Sequence, residues 1–471
     1  MLLAFVTLYI LLSVAIGLFV ARKVKTTRDF AIANRSLPLP IVIASVFATW
    51  FGAEAVFGVS ATFVDEGLNG LAADPFGASL CLVIAGVIFS KYLYKLNFIT
   101  LGDFYRKRYN SSIEIITTII IMISYLGWVA AQISAIGLIL STLTAGDISE
   151  SMGMIIGTLI IISYTSLGGM LSIAILDLVQ MLVIIIGLSI ISYYVVGLTG
   201  GIIPVLSAAN NAGKFNFFPK GDFFLWASFL ASLITMMLGS ITQQDVYQRI
   251  TSAKTQKIAL WGSVLGGLLY FIFAFIPMFI AYSATLIHPE LKINLDTQST
   301  LPLFIIEYTP LFAQILFFGA VLSAIMSTSS ATILAPSVLF VENILKEFIP
   351  KMTDKQTLLA MRLTLIGFSF CVLIYAFNSN LSIFGMVESA YKVTLVGAFI
   401  PLIFGIFWKK ANDMGALLAI IGGVGSWLII EFLYGEDFII PAQLIGLGVS
   451  IAGMLIGSLF FKQNLKNKLL I

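Results

Sequence analysis

The stretch Ala44–Phe63 reads ASVFATWFGAEAVFGVSATF. It is long and apolar enough to cross a bilayer as a helix. Yet Gly52, Glu54 and Gly58 fall at its middle, where a lipid-facing helix gains nothing from a carboxyl group or from two glycines. A helix that breaks at mid-depth frees backbone carbonyls, and these survive there only if they line a cavity or bind a ligand. A second stretch, Leu233–Arg249 (LITMMLGSITQQDVYQR), has the same character, with Gly239 and Ser240 ahead of a polar run. For one such stretch, close packing of helices through small residues is the simpler explanation. Two of them, one carrying a glutamate, favour a ligand site.

The rest of the chain supplies the context. Of its 471 residues 59% are hydrophobic and only 10% charged, too little charge to cover a soluble surface. Apolar runs of about 20 residues recur along the whole length, the pattern of an all-α polytopic membrane protein. The first, LLAFVTLYILLSVAIGLFVA, has no basic region before it and no small-residue cleavage site, so it reads as a retained span. Thirteen transmembrane helices are expected, at about 2–21, 37–64, 74–96, 113–142, 152–167, 170–198, 223–243, 257–287, 310–334, 355–378, 382–408, 412–434 and 438–461. With the N-terminus outside, 22 of the 26 Lys and Arg residues fall on inner loops and flanks. Lys214, Lys220 and Lys292 fall outside and Lys392 lies within a span. That bias supports both the odd span count and a cytoplasmic C-terminus. The loops 199–222 and 288–309 are too short for a soluble domain. LGDFYRKRYNSS (101–112) reads as an interfacial stretch, basic beside anionic headgroups.

Several function classes are disfavoured. Cys81 and Cys371 both lie in apolar runs and read as inert packing residues, with no disulfide framework. His288 is the one histidine and falls in a loop, so a histidine metal site or a Ser-His-acid triad has no material to work with. An enzyme is a poor reading, and nothing points to a nucleic-acid partner. The partners expected are a small-molecule substrate and the lipid bilayer, with a monomer sufficient.

GAVLSAIMSTSSATIL (Gly319–Leu334) is apolar enough for lipid but carries Ser323, Ser327, Thr328, Ser329, Ser330 and Thr332. Ala324, Ser327 and Thr328 stand at i, i+3 and i+4 and share one helix face. Two hydroxyls and one carbonyl can therefore point at one spot. A hard cation such as Na⁺ takes oxygen ligands, and carbonyls from the unwound second span can complete its shell. The competing reading is that these hydroxyls bond back to carbonyls one turn earlier.

Counted from the second span, spans two to six and seven to eleven form two sets of five, each opening on an interrupted helix. That is the pattern of an inverted-repeat transporter with its site at the midplane. The division expected is 1–36 (first span and inner loop), 37–198 (first repeat), 199–408 (second repeat) and 409–471 (two further spans).

Four motifs then carry a family resemblance. SAIMSTSSATIL with the later VEN (Ser323–Asn343), YTSLGGMLSIAILDLVQ (Tyr164–Gln180), QQDVYQRITSAK (Gln243–Lys254) and FGIFWKKAN (Phe404–Asn412) appear in register. Together they resemble the sodium/solute symporter family of proline, pantothenate, sugar, iodide and choline carriers, over about residues 25–412. The resemblance implies thirteen helices with a five-plus-five inverted-repeat core. It implies a sodium site formed by the carbonyls of Ala48, Phe51 and Ala324 and the hydroxyls of Ser327 and Thr328. Asp177 matches the family's acid on the ion's path to the cytoplasm. Ser329, Ser330 and Thr332 are left to packing.

The same resemblance puts Trp50, Glu54, Asp74, Ser240, Gln243 and Glu388 in the substrate pocket. Acids beside an aromatic suit an amine or quaternary ammonium. The aromatics of a choline cage are missing at two expected places, where Ala78 and Gln243 stand. Each residue also has a structural reading: an ion pair with Lys392 for Glu388, a helix cap for Asp74, plain packing for Trp50. The expected activity is sodium-coupled import of a small amino acid, choline-like compound or other amine across a plasma (inner) membrane. The alternatives are a proton-coupled carrier of the same fold, with Asp177 or Glu54 relaying protons, and a transport-derived sensor.

Overall fold

A computed structural model describes residues 1–290, 297–435 and 438–461. Lys292, Lys462, Lys466 and Lys468, which enter the charge bias, lie outside the described residues. Among those described there is no strand, only an isolated bridge between Leu37 and Ala253. The helices that matter below are α1 (Leu2–Ala21), α2 (Leu39–Trp50), α3 (Glu54–Leu96), α4 (Leu101–Arg108), α5 (Ser111–Leu143), α6 (Glu150–Leu198) and α7 (Phe223–Thr242). They continue as α8 (Gln244–Ser252), α9 (Gln256–Ile287), α10 (Leu311–Phe348), α11 (Asp354–Asn378), α12 (Ile383–Phe407), α13 (Asp413–Tyr434) and α14 (Ala442–Phe460).

Among the described residues, eleven helices are long and apolar enough to cross a membrane: all of these except α2, α4 and α8. Two of the eleven are each long enough for two crossings. α6 has 49 residues, about 74 Å at the helical rise, against a hydrocarbon layer of about 30 Å. The expected spans 152–167 and 170–198 both lie on it, and they part at Gly169, where φ is +48°. A side chain there would also put its Cβ 2.4 Å from the Phe30 carbonyl oxygen, so glycine is required twice over. α3 has 43 residues and breaks at Gly67 and Asp74, whose backbones are not helical.

Both interrupted stretches are broken helices. α2 ends at Phe51 (φ −84°, ψ 75°), and the chain resumes in a widened, π-type turn over Glu54–Gly58. Such turns are frequent at functional sites. α7 widens in the same way over Thr235–Gly239, then Gln243 is extended (φ −72°, ψ 136°) before α8 begins. The apolar faces of the surrounding helices bury these breaks. α10 packs on α2, α5 and α6, α9 packs on α2, and α12 on α5. α13 and α14 pair with each other at the edge, with broad exposed apolar faces of the kind lipid covers.

The 101–112 stretch has two faces: Arg106 and Lys107 are exposed, while the other face packs into the protein. Leu101, Phe104, Tyr105 and Arg108 are buried, and Arg108 donates to the carbonyls of Gly405 (2.8 Å) and Trp408 (3.1 Å) at the end of α12. Its guanidinium caps a helix C-terminus, where carbonyls lack partners and a cation is favoured. Of the two cysteines, Cys81 is buried as expected, whereas Cys371 is exposed on α11.

Candidate functional site

The break in α2 sets up the site. In an unbroken helix the Ala48 carbonyl would receive the Gly52 N–H. Here that N–H turns to the Trp50 carbonyl at 3.1 Å, and the Ala48 oxygen accepts instead from the Thr328 hydroxyl of α10 at 3.3 Å. Two of the expected sodium ligands, from segments 280 residues apart, therefore stand side by side. Oxygens about 2.4 Å from an ion in an octahedral shell lie about 3.4 Å from their neighbours, so this spacing suits a cation edge. Ser327, one residue earlier on α10, donates to Asp177 Oδ1 at 2.6 Å, and Ser45 of α2 donates to Asp177 Oδ2 at 2.6 Å. Asp177 thus ties α6 to both helices and fixes the Ser327 oxygen, as outer-shell acids do for ligands.

The remaining hydroxyls of the serine-rich segment do something else. Ser329 bonds back to Ile325, Ser330 to Ser327 and Thr332 to Thr328, each within its own helix. Ser323 bonds back to Gly319 and meets the Tyr9 hydroxyl of α1. Ser327 and Thr328 are the two whose oxygens reach toward the break in α2, through Asp177 and Ala48.

Glu54 lies against this cluster. A methyl carbon at Gly52 would stand 2.6 Å from the Thr328 hydroxyl, 2.7 Å from Gln132 Oε1 and 2.8 Å from Glu54 Oε2. Glycine lets three oxygens from three helices converge on the break. Gln132 of α5 holds them: its oxygen accepts the Ala53 N–H at 2.8 Å, satisfying a donor at the start of the resumed helix, and its amide donates to Glu54 Oε2 at 2.6 Å. Trp128 Nε1 donates to Glu54 Oε1 at 3.0 Å. Glu54 is 3% exposed and, among the described residues, no Lys or Arg comes within 4.0 Å of it. Neutral donors alone offset poorly the cost of burying a carboxylate, which makes a cationic ligand favourable there.

Ala78 and Gln243 leave two places without rings, and the fold gathers aromatics elsewhere at the break. Trp50, Trp128 and Tyr391 pack together, with ring centroids 5.4 Å (Trp50–Trp128), 5.6 Å (Trp128–Tyr391) and 6.3 Å (Trp50–Tyr391) apart. Tyr125 stacks on Trp128 at 6.1 Å. A cation held between two ring faces needs them roughly 10 Å apart. These rings touch, so they form one wall over which a cation can stand. The Tyr391 hydroxyl is buried without a partner and lies within electrostatic reach of Asp245 and Glu54.

The other expected substrate residues fare differently. Asp74 is buried at the backbone break in α3 and takes the Tyr270 hydroxyl, so it is no surface cap. Ser240 is buried and bonds back to Met236 sulfur at 3.5 Å. Gln243 is held by Ser124 of α5, to which its amide donates at 2.9 Å. Glu388 does not pair with Lys392. It accepts from Ser232 at 2.6 Å, while Lys392 meets Glu431 of α13 at 3.6 Å, because a partner on a neighbouring helix is better placed than the next turn. Trp128, Gln132, Tyr391, Asp245 and Arg249 join the cluster without having been expected as site residues. A glutamine in the middle of the apolar α5 was a usable signal, since polar groups at that depth need partners.

The model of the sodium:solute symporter family matches residues 30–423. High-affinity choline transporter 1 of Caenorhabditis elegans is 25% identical over 466 residues, covering 93% of this chain and 78% of that protein. The osmoregulated proline transporter OpuE of Bacillus subtilis is 24% identical over 454 residues, covering 90% of this chain and 87% of its own. A solved Na⁺-coupled sialic acid symporter superposes with a TM-score of 0.84 at 21% identity, covering 98% of both chains, which shows a shared fold.

Proposed function

The chain belongs to the sodium:solute symporter family, and we propose that it imports a small organic cation or zwitterion, choline-like or amino-acid-like, together with sodium. It is a multi-pass membrane transporter of small solutes, not an enzyme, and sodium is its coupled ion. The observation that carries the proposal is the Thr328 hydroxyl beside the Ala48 carbonyl at the break in α2. Sodium takes the carbonyls of Ala48, Phe51 and Ala324 and the hydroxyls of Ser327 and Thr328. Asp177 orients Ser327 and lines the ion's exit to the cytoplasm. The substrate's positive end stands on the Trp50–Trp128–Tyr391 wall near Glu54, with Asp74, Ser240 and Gln243 around it and Glu388 toward the mouth. Relatives named for choline and for proline bracket this class.

Coupling follows from shared parts. Sodium pins α2 to α10 and so orders Gly52, Glu54 and Trp50. Substrate affinity rises, and by linkage substrate raises sodium affinity by the same factor. The loaded core then rocks to face the cytoplasm. Each sodium entering at 100 mV contributes about 2.3 kcal/mol from the potential alone. The chain makes thirteen crossings of a plasma (inner) membrane, N-terminus outside and C-terminus inside. Residues 37–198 and 199–408 are its two inverted repeats, flanked by 1–36 and 409–471. A monomer suffices.

The test is uptake into proteoliposomes from a panel of labelled amines, amino acids and sugars, with and without an inward sodium gradient. Sodium-dependent uptake of an amine or zwitterion is expected. Uptake driven by a pH gradient without sodium would replace sodium coupling with proton coupling, and binding without uptake would make the chain a sensor.

A further inference from the structure

Arg249 of α8 is buried at 2% exposure, in the half of the second broken helix that follows Gln243. Its Nη2 donates to the Thr49 hydroxyl at 2.6 Å, between Ala48 and Trp50 on the first broken helix. Its Nη1 makes a long bond of 3.4 Å to the Asp245 backbone carbonyl, and Nε has no partner. Two buried carboxyls feel its charge, Asp177 and Asp245, yet among the described residues neither comes within 4.0 Å of a cationic nitrogen. Both Asp177 oxygens are taken by serine hydroxyls, and Asp245 is held by the Tyr125 hydroxyl with Trp50 beside its carboxyl. A buried guanidinium with one hydrogen bond to another side chain, a neutral hydroxyl, and two acids nearby is not arranged as a structural ion pair. Such pairs repay their desolvation only through close, well-aligned contact.

We propose that Arg249 is the transporter's built-in counter-charge: held by Thr49 beside the Ala48 carbonyl, it sets how weakly the sodium site holds its ion. The reasoning is electrostatic. Asp177 reaches the sodium position through one hydroxyl, that of Ser327. Arg249 lies within electrostatic reach of Asp177 and donates to Thr49, the residue next to Ala48. A fixed positive charge there lowers sodium affinity and keeps the acids compensated while the emptied carrier returns. A symporter must release its ion inside, so a weakened site is part of the cycle. Arg249 touches neither ion nor substrate in this role; it is a positioning residue acting through Asp177 and Thr49. The inference rests on the sodium site proposed above.

The test uses the purified full chain and sodium alone. Equilibrium binding of radioactive sodium is measured for the unsubstituted chain, Arg249→Gln, Arg249→Lys and Thr49→Val, with sodium-dependent thermal stabilisation as a second readout. Removing one like charge in a low-polarity interior is expected to tighten half-saturating sodium about tenfold in Arg249→Gln. Arg249→Lys keeps the charge and stays within about threefold of the unsubstituted chain. Thr49→Val, which removes only the neutral anchor, shifts affinity less than Arg249→Gln. Unchanged or weaker sodium binding in Arg249→Gln overturns the proposal. If Arg249→Gln fails to fold, Arg249→Met takes its place: tighter sodium binding supports the proposal, and unchanged or weaker binding overturns it. Absence of sodium binding in the unsubstituted chain overturns the sodium site itself, a distinguishable outcome.

Discussion

Gly52→Ala puts one methyl group where three oxygens converge. Its carbon would lie 2.6, 2.7 and 2.8 Å from the Thr328 hydroxyl, Gln132 Oε1 and Glu54 Oε2. To reach ordinary contact each oxygen must retreat by roughly 0.5 Å. The Thr328–Ala48 bond, already 3.3 Å, then passes out of hydrogen-bond range, and the Gln132–Ala53 bond stretches from 2.8 Å. One lost hydrogen bond costs about 1 kcal/mol and overpacking a further 1–3 kcal/mol, for about 3 kcal/mol in all. Gly52 carries no left-handed φ, so the cost is steric and falls on the ion cage itself. At 1.4 kcal/mol per decade, half-saturating sodium should rise about 100-fold. The assay is sodium titration of thermal stabilisation on purified chain, beside Gly448→Ala, whose added methyl meets nothing within 4 Å. Gly448→Ala should match the unsubstituted chain. A Gly52→Ala protein whose half-saturating sodium stays within threefold would refute the reasoning.

Other expectations are more direct. Ser327→Ala combined with Thr328→Ala should abolish sodium-dependent stabilisation below about 100 mM, since two of five oxygens are gone, and sodium-free stability should fall by about 2 kcal/mol from the lost bonds to Asp177 and Ala48. Trp128→Phe keeps the ring wall but removes the N–H that Glu54 Oε1 accepts; affinity for the transported amine, read by competition uptake, should weaken about tenfold while sodium affinity changes little. Gly169→Ala meets both a φ of +48° and the Phe30 carbonyl at 2.4 Å, so stability should fall by more than about 3 kcal/mol, read as a lower folded yield and melting temperature. Lys392→Met should cost under about 1 kcal/mol, because its partner Glu431 is partly exposed at 3.6 Å, and should leave Glu388 in place with Ser232.

The two interrupted stretches show what a linear reading can reach. Gly52, Glu54 and Gly239 are visible because glycine and charge at mid-membrane violate the cost of exposing backbone or carboxyl to lipid. That violation is local, so composition and spacing alone located both breaks. The same holds for Ala324, Ser327 and Thr328, which share a face by helical periodicity whatever surrounds them. Residues whose role is long-range were less legible. Gln132 stands out as a polar residue in an apolar helix, but that its amide reaches Ala53 and Glu54 is decided by another helix. Tyr391 joins Trp50 only through the packing of α12 on α5 and the break in α2. Lys392 was paired with Glu388 on helical spacing, but Glu431 on α13 stands nearer to hand. Arg108 read as a headgroup residue, yet it caps α12.

The sequence by itself determined that this is a polytopic helical membrane protein, where its helices break, and which hydroxyls share a face, because lipid punishes each polar group individually and so leaves a residue-by-residue record. Only the tertiary structure decided what stands opposite those groups: Asp177 against Ser327, Gln132 against Glu54, Arg249 against Thr49. Directional contacts a few ångströms long depend on how helices cross, and crossing is a property of whole packed surfaces rather than of any one segment.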